Sequence, residues 1–198
     1  MSYEDKGNLE NVMKNWHQKD PKIAVVTDGG RILGLGDQGL QGQPITVGKL
    51  SLYIGGAGIK PEATLPIILD LGTDNEALLN DPLYLGLHRP RVKGEEMQEF
   101  MDEFYIAARK TFPKMIIQFE DFQSDNAFKY LERYRYLNKP ITDSNGNKFG
   151  GKVFNDDIQV SIININYANF YNILHVFREL VQSSLQDLSM QFVNQVPV

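Results

Sequence analysis

The chain has 198 residues, room for one domain or a little more, and is 42 % hydrophobic and 11 % aromatic, enough for a sizeable core. Its formal charge of −5 is mild and its lysines and arginines are dispersed, which excludes nucleic acid and anionic membrane as expected partners. There is no cysteine, so disulfides, thiolate metal sites and cysteine nucleophiles are excluded together. No stretch supplies the roughly 20 apolar residues that cross a bilayer. The opening Met-Ser-Tyr-Glu-Asp-Lys has neither the apolar core of a signal peptide nor the Arg-rich, acid-poor character of a transit peptide. The expectation is a soluble intracellular protein, of the cytoplasm or a mitochondrion-type organelle, with no targeting signal.

In chain order, Asn8 to Trp16 reads as a short helix with Leu9, Val12, Met13 and Trp16 on one face. Ile23 to Val26 is a β-type run that ends in the turn signal Thr27-Asp28-Gly29-Gly30. Ile32 to Gln43 is glycine-rich and reads as a tightly turning loop, and Val47 to Ala57 as a buried helix with small residues where it meets its neighbours. Leu65 to Leu71 is a continuous apolar run, the pattern of a buried strand. Glu95 to Thr111 is the clearest helix, with Phe100, Met101, Phe104 and Ala108 on one stripe. Met115 to Phe119 is a second buried strand, and Asn126 to Leu137 a further helix with Phe128, Leu131 and Tyr134 or Arg135 adjacent. Strands separated by helices predict an α/β protein, layered helices around a largely parallel sheet. Two segments break the rhythm: 140–152 is all turn chemistry, and 160–198 shifts to Ile, Asn, Tyr, Phe and Gln with few charges.

Several residue groups carry candidate chemistry. Gly34-Leu35-Gly36-Asp37-Gln38-Gly39 matches the dinucleotide pattern G-x-G-x-x-G, but Gly42, Gln43 and Pro44 follow where a helix should open, so a structural turn is the favoured reading. Glu120-Asp121 follows one apolar strand, and Asn155-Asp156-Asp157 follows the apolar pair Val153-Phe154. Carboxylates at the C-terminal ends of parallel strands sit where open α/β sheets bind ligands, and three of them suit a hard cation such as Mg²⁺ or Mn²⁺. The alternative is that they are helix caps or solvated loop groups. Lys49, in the apolar stretch Val47 to Ala57, is either a base with a lowered pKa or a lysine reaching to water. Arg31, just after the glycine turn, is either a clamp for a carboxylate or an ordinary surface arginine. His17, His88 and His175 show no ligand spacing.

Taken together, these segments resemble the malic enzymes. The resemblance rests on Val25-Val26-Thr27-Asp28-Gly29-Gly30-Arg31-Ile32-Leu33-Gly34-Leu35-Gly36-Asp37 and Val47-Gly48-Lys49-Leu50. It continues through Leu71-Gly72-Thr73-Asp74-Asn75 and Asn80-Asp81-Pro82-Leu83-Tyr84-Leu85-Gly86-Leu87. Gln118-Phe119-Glu120-Asp121-Phe122 and Phe154-Asn155-Asp156-Asp157-Ile158-Gln159 complete it, in the family's order. The resemblance implies metal-dependent oxidative decarboxylation of malate to pyruvate and CO₂ with NAD or NADP, in a homo-oligomer. It further implies that Arg31 binds a malate carboxylate, Lys49 is the general base, and Glu120, Asp121 and Asp157 ligate Mg²⁺ or Mn²⁺ with Asp156 close by.

The departures from the family's pattern are equally specific. The family's general acid, a tyrosine in a Tyr-Thr-Pro motif, falls upstream of residue 1, and neither Tyr53 nor Tyr84 occupies a family position that would replace it. After Asp-Asp-Ile-Gln the family continues with Gly-Thr into a nicotinamide-binding domain, whereas here Val160 opens an unrelated tail. The expected organisation is therefore a malic enzyme N-terminal-type domain over 1–159 with an insertion at 140–152, then a non-family tail over 160–198 with the NAD-binding domain absent. On that reading the isolated chain is incomplete, the residues that bind the dinucleotide are unknown, and the alternative function is a non-catalytic remnant acting as a binding or oligomerisation module.

Overall fold

A computed structural model describes residues 1–135, 140–155 and 157. Four strands form one parallel sheet: β1 (Ile23–Thr27), β2 (Thr64–Ile68), β3 (Ile116–Phe119) and β6 (Val153–Phe154), in the order β2-β1-β3-β6. The register pairs Val25 with Pro66 on one side and with Gln118 on the other. β2 is an edge strand, the position in which a proline such as Pro66 is tolerated. Among the described residues five α-helices accompany the sheet: α1 (Leu9–Lys14), α2 (Gln43–Ala57), α3 (Glu76–Leu79), α4 (Gly94–Thr111) and α5 (Ser124–Arg135). The α/β class and the parallel sheet expected from the sequence are what the chain adopts.

Both faces of the sheet are covered, which is why its central strands are apolar at consecutive positions rather than alternate ones. Ala24, Val26, Ile117 and Phe119 face a large core with Leu9 and Met13 of α1, Phe100, Phe104 and Tyr105 of α4, and Tyr130 and Tyr134 of α5. Ile23, Val25 and Ile116 face a smaller core with Leu50 and Tyr53 of α2. Adjacent residues of β1 thus divide between the two cores, as the pleat requires. The apolar run after β2 outlasts the ladder: Leu69 and Leu71 are fully buried beyond the last paired residue.

Three local expectations are corrected. Of the α5 face expected at Phe128, Leu131 and Tyr134 or Arg135, Leu131 and Tyr134 are buried, with Ala127 and Tyr130 beside them, but Phe128 is 51 % exposed. Those positions have the i, i+3, i+4, i+7 spacing of a helical stripe, whereas Phe128 falls one residue off it. α2 is not buried all round: only Thr46, Leu50 and Tyr53 are, while Leu52 is 68 % exposed. Its small residues Gly48, Gly55 and Gly56 meet no neighbour among the described residues. α2 also begins earlier than expected, because Pro44 falls in its first turn, where a proline N–H would have had no partner anyway.

The third concerns 140–152, expected as an exposed loop. It forms a small antiparallel hairpin, β4 (Ile141–Thr142) paired with β5 (Lys148–Phe149). Its turn is built by Asp143, whose carboxylate accepts from the amides of Asn145 (3.0 Å) and Asn147 (2.9 Å). Residues 144–148 are exposed as expected, but Ile141 and Phe149 lie against the large core. Lys110 of α4 reaches Asp143 at 2.8 Å, and the Tyr105 hydroxyl donates to the Gly151 carbonyl at 2.7 Å. The expectations for Asp156, for the end of α5 beyond Arg135, and for the tail 160–198 lie outside the described residues.

Candidate metal and substrate site

The C-terminal ends of β1, β3 and β6 are neighbours, and each carries residues singled out in the sequence. Glu120 continues β3 and is tied to β1 by its amide, which donates to the Val26 carbonyl at 2.8 Å. Asp121 follows with φ of +52°, a left-handed conformation that aspartate accepts more readily than most residues. Its backbone then serves both flanks: the amide donates to Asp157 Oδ2 at 2.9 Å, and the carbonyl accepts from the Arg31 amide at 3.2 Å. One residue's backbone thereby joins the chain after β1, the chain after β3 and the chain after β6.

The result is a cluster of three carboxylates. One oxygen each of Glu120, Asp121 and Asp157 lies within 4.8 Å of the others, with Glu120 buried, Asp121 half-buried and Asp157 exposed. Three anionic oxygens with no nitrogen or sulfur form a hard donor set, the chemistry that Mg²⁺ and Mn²⁺ prefer. Lys49 comes in from α2, its Nζ 2.9 Å from Glu120 Oε1. Arg31 is exposed on the loop after β1. The structure brings the three carboxylates and Lys49 together, with the Arg31 backbone hydrogen-bonded to Asp121.

The loop carrying Arg31 is held by groups the sequence reading missed. Arg91 is nearly inaccessible, with 3 % of its side chain exposed, between Asp28 at the loop's start and Asp37 near its end. Its Nε and Nη2 donate to the two oxygens of Asp37 at 3.0 and 2.6 Å, and its Nη1 donates to the Asp28 carbonyl at 2.9 Å. Complete burial pushes the Asp28 carboxyl above its ordinary range, countered only in part by Arg91. Burial acts the same way on Asp37, but bonds from Arg91, the Asp74 amide and the Thr73 hydroxyl outweigh it and hold that carboxyl low. No local pattern marks Arg91, because its partners are 63 and 54 residues away.

The glycine pattern at 34–39 lies in the same loop and forms a turn, as favoured from the sequence. Ile32 and Gly36 exchange backbone hydrogen bonds at 2.9 Å across it. Gly39 is needed for close approach: a Cβ there would stand 2.1 Å from the Tyr84 hydroxyl, which accepts from the Leu40 amide at 2.9 Å. The third glycine makes room for a tyrosine and not for a pyrophosphate. Among the described residues no strand–glycine–helix unit for a dinucleotide is present. The His17 ring lies tilted against Trp16 and His88 bonds the Leu79 and Tyr84 carbonyls, so neither joins the cluster.

A parallel sheet that gathers a carboxylate cluster and a lysine at its C-terminal edge puts them where open α/β sheets bind ligands. The malic enzyme N-terminal domain model matches residues 1–135, and the chain belongs to the malic enzyme family. It is 51 % identical over 158 residues to a mitochondrial NAD-dependent malic enzyme of Solanum tuberosum, covering 80 % of this chain and 23 % of that protein. An NAD-dependent malic enzyme of Erwinia tasmaniensis is 51 % identical over 135 residues, 68 % of this chain and 24 % of that one. A chloroplastic NADP-dependent malic enzyme of Flaveria pringlei is 49 % identical over 160 residues, 80 % of this chain and 23 % of its own length. The chain thus spans about a quarter of the length of the curated relatives it matches. No helix among the described residues is long and apolar enough to cross a membrane.

Proposed function

We propose that this chain forms the malate- and metal-binding part of a malic enzyme, which oxidatively decarboxylates malate to pyruvate and CO₂ with a nicotinamide dinucleotide as hydride acceptor. The observation that carries the reading is the convergence of Glu120, Asp121 and Asp157 within 4.8 Å, with Lys49 2.9 Å from Glu120. In this reading the three carboxylates hold Mg²⁺ or Mn²⁺, and Arg31 offers its planar fork of donors to a malate carboxylate. When bound, the cation supplies a Lewis acid at the C2 oxygen, lowering the cost of negative charge there. Lys49, standing beside that cluster, takes the proton of the C2 hydroxyl as general base.

The test is a calorimetric titration of Mn²⁺ and L-malate into the purified chain. Mn²⁺ should bind, malate should bind more tightly in its presence, and Glu120→Gln or Asp121→Asn should weaken the metal by at least about tenfold. Arg31→Ala should weaken malate while leaving Mn²⁺ alone. A chain that binds no Mn²⁺ with or without malate would sink the reading.

A further inference from the structure

Gln118 is a polar residue in the middle of an apolar strand, and its side chain is fully buried. It lies on the face of β3 that meets α2, two residues before Glu120. Both ends of its amide are used: Nε2 donates to Glu120 Oε2 at 2.6 Å, and Oε1 accepts from the Tyr53 hydroxyl of α2. The amide orientation follows from those partners, since a phenol donating to Oε1 leaves the NH₂ group facing the carboxylate. Lys49 sits on the same helix as Tyr53, one turn earlier, and takes the other oxygen of Glu120.

We propose that Gln118 and Tyr53 are positioning residues for the cation site, fixing the rotation of the Glu120 carboxylate and tying it to the helix that carries Lys49. This rests on the reading of Glu120 as a metal ligand. A carboxylate attached to its strand by three rotatable bonds must be held before a cation arrives, or its ordering is charged against binding. The bond from Gln118 locks Oε2, and a carboxylate oxygen has lone pairs enough to accept a hydrogen bond and meet a cation together. The bond from Tyr53 locks Gln118 in turn, so Glu120 is gripped twice from α2, through Lys49 directly and through Tyr53 and Gln118. The arrangement costs two buried polar side chains in a core otherwise made of Ile23, Val25, Leu50, Ile59, Ile116 and Phe154, where an apolar pair would fill the same space. Groups that orient a metal ligand in this way are worth about 10- to 100-fold in metal affinity when removed.

The experiment measures Mn²⁺ affinity by electron paramagnetic resonance on the full chain, with thermal midpoints taken without metal. Gln118→Met keeps volume and loses both bonds, and its Mn²⁺ dissociation constant should rise about 10- to 100-fold. Tyr53→Phe loses only the far bond and should give a smaller rise, of the order of 3- to 10-fold, at a metal-free midpoint near that of the parent. Ile23→Val is the control, trimming the same small core without touching the chain of bonds; its midpoint should fall while its Mn²⁺ affinity stays put. Tyr53→Phe and a folded Gln118→Met that both bind Mn²⁺ like the parent, while Glu120→Gln does not, would overturn the positioning role and leave the metal site standing. A parent chain that binds no Mn²⁺ would overturn both.

Discussion

At the scale of single residues, the site loop is governed by two carboxylates with opposite pH behaviour. Asp37 is held below its usual range by Arg91, Asp74 and Thr73 despite burial. Its contribution to stability is present above the unfolded value, about 3.9, and is lost as pH falls toward the lower folded value. Asp28 is pushed up by burial, so the folded chain binds its proton more tightly than the unfolded chain, and its protonation on acidification offsets part of that loss. Asp37→Asn should therefore give a shallower fall in thermal midpoint between about pH 5 and 3, and Asp28→Asn a steeper one. The measurement is a series of melts from neutral pH down, and parallel curves for all three proteins would contradict the assignment. Arg91 ties the two together, and removing it would leave both carboxylates facing each other without a cation.

At the scale of elements, α4 and α5 show how one residue of offset decides an energy. Phe104 is fully buried on α4, aligned with Phe100, Met101 and Ala108, and sits in the large core. Phe128 on α5 lies one position off the buried stripe and is half exposed. Phe104→Ala should cost about 3–5 kcal/mol, since it removes a large transferred surface and leaves a cavity. Phe128→Ala should stay within about 0.5 kcal/mol. Urea denaturation of the two variants decides this, and a cost above about 2 kcal/mol at Phe128 would mean its ring is covered by something outside the described residues.

At the scale of the whole molecule, stability is concentrated in the middle of the sheet. β1 and β3 have neighbours on both sides and cores on both faces, while the hairpin β4–β5 hangs from the large core by Ile141, Phe149 and the Lys110–Asp143 pair. Hydrogen exchange should find the amides of Val25, Val26 and Ile117 opening only with global unfolding. Those of Asn145 and Asn147, in the exposed turn of the hairpin and bonded to the Asp143 carboxylate, should exchange by local opening orders of magnitude faster. Equal protection of the two sets would show that the hairpin belongs to the cooperative core. The site spans both regimes: Glu120 is anchored on β3, and Asp157 follows the short strand β6 that the hairpin leads into.

What the sequence determined by itself was whatever is encoded at short range. Apolar runs at 23–26, 65–71 and 115–119 mark strands buried on both faces, and the 3.6-residue stripe of 95–111 marks α4, because burial periodicity is a local property of the chain. The strand-end positions of Glu120, Asp121 and Asp157 were legible too, and with them the family. What only the tertiary structure decided was which distant groups meet. That Lys49 points at Glu120, that Asp121 bonds Asp157 and Arg31, and that Arg91 bridges Asp28 and Asp37 depends on the order β2-β1-β3-β6. Gln118 left a trace in the sequence, a polar residue inside a buried strand, but its partner on α2 did not. Local pattern fixes each element's own buried face; an ion pair or hydrogen bond across dozens of residues is fixed by the register in which separate elements dock, which no single segment carries.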